Sequence, residues 1–169
     1  PIFEMEPYKE AVEIVLDFSA RMKEKYNFIM KEFSPGGGYA IQYVRESPPP
    51  PVAAYAEAIS SALRQGCKKF GLRLPRMIIE PVMAIVGRAV VAIYQIGDRK
   101  YIPCIRTYIS VDGGMADNIR VALYGARYEA LTANRAEEEN TGVFTIAGKF
   151  CESGDILLRD MSFPQLQPG

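Results

Sequence analysis

With 169 residues and 49% apolar content, the chain is long enough for one ordinary domain or two small ones around a packed core. Its 20 basic and 20 acidic side chains cancel, so there is no long-range field to gather nucleic acid or an anionic membrane surface. With no histidine and three scattered cysteines (Cys67, Cys104 and Cys151), neither a metal site nor a disulfide framework is expected. No apolar run reaches the roughly 20 residues of a bilayer span, and a reducing cytoplasm is the expected compartment.

From Glu6-Pro7 the stretch EPYKEAVEIVLDFSARMKEKY sets Val12, Val15, Leu16 and Met22 near helical spacing. Proline in the first turn and Lys23 and Lys25 near the negative end of the dipole complete the signature of an amphipathic helix. Asn27 to Phe33 alternates apolar residues and predicts a strand running into the turn Ser34-Pro35-Gly36-Gly37-Gly38. ESPPPP, Glu46 to Pro51, is a stiff polyproline-like connection. Val52 to Phe70 predicts a second amphipathic helix closed by Gly71, and Pro75 to Glu80 a second buried strand of the parallel-sheet kind.

Helix, strand, glycine loop, helix, strand implies βα alternation and a parallel sheet or barrel. From Ala84 onward the pattern changes to successive strands: IVGRAVVAIYQI, RTYISVD, VALYGARYEAL, VFTIAGKF and DILLRDM. These predict a mostly antiparallel β unit, with the acidic tract Glu137 to Gly142 as an exposed hairpin loop. The expected fold class is therefore α/β followed by β, divided into residues 1–85 and 86–169.

Gly36, Gly37 and Gly38 at a strand end would offer successive backbone N–H groups to a phosphate, because glycine admits close approach and positive φ. A plain flexible βα turn is the competing reading. Glu80, at the next strand end, stands where barrel enzymes carry catalytic groups and suits a pyridinium nitrogen, against the alternative of a solvated glutamate. Arg120 and Tyr124 would share a face of an extended stretch and suit a carboxylate ligand, though a surface arginine beside a packed tyrosine is the commoner arrangement. Cys151-Glu152 sets a thiol beside a carboxylate in a loop, where an inert cysteine is the alternative.

In this order, SPGGGYAIQY (Ser34 to Tyr43), IIEP (Ile78 to Pro81), SVDGGMADNIR with ALYGARY (Ser110 to Tyr128, Val121 interrupting) and AGKFCESGD (Ala147 to Asp155) resemble the diaminopimelate decarboxylases. These are pyridoxal-phosphate enzymes of the alanine racemase-like, fold type III group. Cys151-Glu152 and Leu123 to Tyr128 favour this branch over relatives acting on ornithine or arginine. The resemblance implies the C-terminal part of a (β/α)8 TIM-like barrel followed by a β domain, in a homo-oligomer whose subunits complete each other's active sites. It implies Gly36, Gly37 and Gly38 on the cofactor phosphate, Glu80 facing the ring nitrogen, and Arg120 and Tyr124 on the substrate carboxylate. Cys151 and Glu152 would reach across a dimer, Glu152 to the distal amino group and Cys151 to the reacting carbon as proton donor. The implied reaction converts meso-diaminopimelate to lysine and carbon dioxide.

Three departures temper that expectation. The family's Schiff-base lysine belongs upstream of this stretch, and none of the chain's lysines sits in its motif. The tyrosine that closes the family's site belongs beyond Gly169. Val82-Met83 stands where the family has Gly-Arg, so a branched side chain would crowd the phosphate, and a charge-assisted contact worth roughly 1.5–3 kcal/mol is lost. The chain is therefore expected to be a portion of the enzyme, inactive and without bound pyridoxal phosphate when isolated, and to associate as a dimer or swapped oligomer over an open barrel flank. The alternatives are a non-catalytic, engineered structural or oligomerising module of that fold and one chain of a split decarboxylase.

Overall fold

The computed structural model describes residues 2–169, which form two compact units divided between Val90 and Val91. Among these residues no helix is long and apolar enough to cross a membrane.

The first unit is built on two helices, α1 (Glu6–Tyr26) and α2 (Val52–Lys69). Pro7 sits in the first turn of α1, and Asn27 ends it with a left-handed φ of 55°, its N–H returning to the Lys23 carbonyl at 2.9 Å. Each helix buries residues at a period close to four: Tyr8, Val12, Leu16 and Ser19 on α1, and Tyr55, Ile59, Leu63 and Cys67 on α2. These stripes form one core, where each large apolar side chain contributes about 1.5–3 kcal/mol by burial. Gly66 lets the helices close up, since a Cβ there would collide with the Leu16 side chain.

Between and after the helices run β1 (Glu32–Phe33) and β2 (Arg76–Met77), paired in parallel with Glu32 opposite Arg76 and Phe33 opposite Met77. The strands are shorter than the expected runs 27–33 and 75–80, because this sheet has only two strands. Phe28, Ile29, Ile78 and Ile79 lie exposed. No barrel closes among the described residues. After Pro81 the chain turns into α3 (Val82–Val86) and a 3-10 turn, Gly87–Ala89, where a strand was expected from Ile85. The Pro81 carbonyl accepts the Ile85 N–H at 3.0 Å. That helical start, with no strand to pair, overrides the β preference of Val82, Ile85 and Val86.

The second unit is a four-stranded sheet of β3 (Ile96–Ile102), β4 (Arg106–Val111), β5 (Gly142–Ala147) and β6 (Ile156–Phe163), in that spatial order. The outer pairs are antiparallel, in line with the mostly antiparallel unit expected, but β4 and β5 run parallel, so the sheet is mixed. A parallel pair needs a long crossover. The residues between Val111 and Gly142 supply it, passing through α4 (Arg120–Tyr124), which Gly125 ends with φ 60°. VALYGARYEAL is thus not a strand. The acidic tract belongs to the crossover rather than to a hairpin, and Arg135 anchors it through Glu138 (3.0 Å) and the Gln165 carbonyl (2.9 Å). Ile109, Val111, Phe144, Ile146, Leu157, Phe163 and Leu166 form the core.

A bulge interrupts the β5–β6 ladder, where Asp160 takes φ 50° opposite the fully buried Thr145. The Thr145 hydroxyl accepts the Asp160 N–H (3.1 Å) and donates to its carboxylate (3.0 Å). Arg106 grips both carboxylate oxygens at 2.6 and 2.7 Å, holding the Asp160 carboxyl below the usual carboxylate range. Such a bidentate pair adds a modest stabilisation, reduced by solvent screening at this exposed edge. Because the folded state lowers this pKa, the contribution is complete above the ordinary carboxylate range and fades as pH falls through the lowered value. Asp160→Asn, which tolerates the same φ, is expected to lose that stabilisation at pH 7 in urea unfolding. The gap to the parent should close towards pH 2, and a gap independent of pH would assign the stability to something other than the ion pair.

Candidate functional site

Because β1 and β2 are parallel, their C-terminal ends leave the sheet at one edge, the position where open α/β sheets bind ligands. The glycine loop follows β1 and Glu80 follows β2. Main-chain pairing continues past both strands, with Ile78 N–H to Phe33 O at 2.9 Å and Glu80 N–H to Gly36 O at 3.1 Å. Gly36 and Gly38 have φ of 79° and 84°, conformations that L side chains rarely adopt. A Cβ on Gly37 would strike the Glu80 carbonyl. Ser34 Oγ donates to Glu80 Oε1 (3.2 Å) and accepts the Gly36 N–H (3.1 Å), leaving the second oxygen of the exposed Glu80 open. Among the described residues the N–H groups of Gly37 and Gly38 donate to no protein acceptor. The structure thus brings Gly36, Gly37, Gly38 and Glu80 together. Open N–H donors on side-chain-free backbone suit a phosphate, and a free carboxylate oxygen beside them suits a protonated ring nitrogen.

Beneath this loop lies a cluster that sequence reasoning missed. Tyr8 of α1, Tyr39 and Tyr55 of α2 meet ring to ring at centroid separations of 5.3–5.8 Å. Among the described residues Tyr39 Oη is buried without a hydrogen-bond partner. Nothing local could have joined them, since Tyr8 is 31 residues from Tyr39 and reads only as part of a helical stripe. At the loop mouth, Met83 is half-buried and its sulfur accepts the Tyr43 hydroxyl at 2.7 Å, while Val82 is exposed.

In the sheet unit, the two longest motifs are joined by one carboxylate. Asp155, 2% exposed, accepts the Met115 N–H at 2.6 Å and the Phe150 N–H at 2.8 Å. Its carbonyl accepts the Gly148 N–H at 2.9 Å, and Lys149 N–H reaches the Gly113 carbonyl at 3.0 Å. Gly114 is required here, because a Cβ would lie 2.7 Å from both Asp155 oxygens. Asp117 and Asp112 act similarly, accepting the N–H groups of Gly114 and Gln95 at 2.8 Å. The acids of SVDGGMADN are therefore acceptors for turn amides.

On the turn that Asp155 anchors, Cys151 and Glu152 are exposed. Glu152 Oε1 accepts the Gly154 N–H (3.1 Å) and the Ser153 hydroxyl (3.2 Å), and these bonds hold its carboxyl below the usual range. Arg120, half-buried, and Tyr124, 72% exposed, open and close α4. They lie on one side of a helical turn rather than on an extended face. Among the described residues no hydrogen bond or ion pair joins Arg120 or Tyr124 to Cys151 or Glu152.

Comparison with known proteins places these motifs. The C-terminal sheet domain of the pyridoxal-dependent decarboxylases matches residues 15–169. The chain belongs to this family. The diaminopimelate decarboxylase of Halalkalibacterium halodurans is 41% identical over 164 residues, spanning 97% of this chain and 37% of that protein. That of Staphylococcus aureus is 42% identical over 159 residues, 94% of this chain and 37% of its own. The crystal structure of diaminopimelate decarboxylase from M. jannaschii in co-complex with L-lysine superposes with a TM-score of 0.74 at 26% identity, covering 99% of this chain and 37% of that one. The chain thus spans little more than a third of the decarboxylases it resembles.

Within this decarboxylase sheet domain, Asp155→Ala strands two buried amides and is expected to cost about 2–4 kcal/mol in chemical unfolding. Hydrogen exchange at Met115 and Phe150 should accelerate in step. Glu152→Ala, on the exposed turn, should leave stability close to that of the parent. Equal losses for the two would contradict the anchoring role of Asp155.

Proposed function

We propose that the chain is a portion of a diaminopimelate decarboxylase, contributing one part of a pyridoxal-phosphate site and several substrate-recognition groups. The observation that carries this reading is the junction of Gly36 and Gly37 with Glu80, where open N–H donors and a free carboxylate oxygen share one sheet edge. Bound there, pyridoxal phosphate supplies an electron sink for the pair left on the α-carbon when carbon dioxide departs. Gly37 and Gly38 hold its phosphate, and Glu80 keeps the proton on its ring nitrogen. The Arg120 guanidinium and the Tyr124 hydroxyl bind a substrate carboxylate. Glu152, ionised at neutral pH, pairs with the distal ammonium, and Cys151 Sγ delivers a proton to the carbon that lost its carboxylate. L-lysine, the ligand named in the M. jannaschii structure, is taken as the product.

The first unit, to about residue 85, is on this reading the closing arc of a β/α barrel whose other strands lie outside the chain. Exposed Ile14, Phe18, Ile78 and Ile79 support its being covered by further polypeptide, from a longer parent or a second copy. One observation favours the alternative of a non-catalytic module. Met83 is committed to Tyr43 where the family carries a cation, so the phosphate is left to backbone donors.

The chain alone is expected to bind no pyridoxal phosphate, by absorbance, and to release no lysine from diaminopimelate. Adding a polypeptide that supplies the upstream half is expected to restore both. Tight binding by the chain alone would refute the account of Met83, and no binding in either case would favour the module. Met83→Arg is expected to tighten pyridoxal phosphate binding about tenfold or more in the completed enzyme. Unchanged affinity would remove Met83 from the phosphate mouth.

A further inference from the structure

We propose that the Tyr8 hydroxyl is a positioning group for the glycine loop, holding the Gly37 carbonyl so that the Gly38 N–H is preset to meet a phosphate. This rests on the phosphate-loop reading above. Tyr8 Oη donates to Gly37 O at 2.8 Å. The peptide that follows is trans, as are all peptides in the described chain, so its carbonyl and its N–H point in opposite directions. Fixing the carbonyl towards Tyr8 therefore directs the Gly38 N–H away from the core, and Gly38 is exposed.

The loop needs such a latch. Gly38 has positive φ, and the Gly37–Gly38 peptide, flanked by two residues without side chains, can rotate with little steric resistance. Three successive carbonyls are held: Gly36 O by the Glu80 N–H at 3.1 Å, Gly37 O by Tyr8, and Gly38 O by the Ile2 N–H at 2.7 Å. Only the middle one depends on a side chain. That side chain is itself rigid, 3% exposed, stacked on Tyr39 at 5.5 Å and edge-on to Tyr55 at 5.8 Å. Burial, with Tyr39 and Tyr55 beside it, pushes the Tyr8 phenol up to about 12, so it remains a donor at neutral pH. The ring packing needs no hydroxyl, since phenylalanine would fill the same space.

Tyr8→Phe in the full chain separates the latch from the packing. Three quantities are read by NMR: the Gly37 carbonyl shift, the Gly38 amide, and the affinity for inorganic phosphate from shifts at Gly37 and Gly38. The expected result is a moved Gly37 carbonyl, a broadened or shifted Gly38 amide, and phosphate binding weakened about fivefold to tenfold with the fold retained. The Tyr55 hydroxyl donates to Ile2 O at 2.7 Å and accepts the Ala40 N–H at 3.3 Å. Tyr55→Phe, which frees these two groups instead, is expected to leave Gly37 and phosphate affinity at parental values, so a loss as large as that in Tyr8→Phe would make the effect one of the cluster and overturn the latch. A Gly37 carbonyl and phosphate affinity unchanged in Tyr8→Phe would also overturn it. A parent chain whose Gly37 and Gly38 amides ignore phosphate would instead overturn the phosphate-loop reading on which the latch rests.

Discussion

The hydrogen bond from the Glu80 amide to the Gly36 carbonyl carries the parallel ladder beyond the last paired residues of both strands, and the rest of the first unit's site depends on it. It draws the two strand ends so close that position 37 has no room for a Cβ. The same approach sets the Glu80 side chain within reach of Ser34, whose hydroxyl also receives the Gly36 N–H. One backbone constraint thus explains the glycine, the serine and the orientation of the carboxylate. A side chain at Gly37 would force the strand ends apart and undo all three.

The sheet unit meets a similar demand by different chemistry. There a buried carboxylate, Asp155, rather than a continued ladder, ties two loops from different motifs. Burying a carboxyl group is costly unless its oxygens are satisfied, and two short amide bonds supply that compensation. Such an anchor has directional preference, because each oxygen fixes one peptide. The turn bearing Cys151 and Glu152 therefore inherits its placement from Asp155, and Glu152 then organises its own tip through Gly154 and Ser153.

What could be seen in the sequence follows from the range of the forces involved. The long helices were legible because their burial repeats along one stripe, and the glycine turn because left-handed backbone selects its residue type. Even so, Val15 proved partly exposed and Ser19 buried, because only the helix partner decides where a stripe ends. From Ile85 β-branched residues argued for a strand, yet a helical turn launched at Pro81 with no strand to pair prevailed. The parallel pairing of β4 with β5 was hidden because it joins segments across a crossover, which no local pattern reports. Within the site, residue types were visible but partners were not: a buried aspartate reads like an exposed one, and Tyr8 reads as one more apolar position of α1.

On the proposed reading, the glycine loop offers a phosphate backbone donors without a cation, and that balance bears on what this chain would do unaided. Backbone donors are neutral, so each gives a phosphate a hydrogen bond without cancelling its charge of about −1.5 to −2 near pH 7. A guanidinium would add that cancellation and a planar fork of donors. Met83 offers neither, and its sulfur is engaged by Tyr43. Neutral donors bind well only when they need no rearrangement, because reorienting a flexible peptide subtracts directly from a small gain. The rigidity of the tyrosine cluster beneath Gly37 therefore matters more here than in a site that also carries a cation. A loop whose middle carbonyl is held by a buried phenol keeps its shape without a cation beside it, so its geometry does not depend on charge.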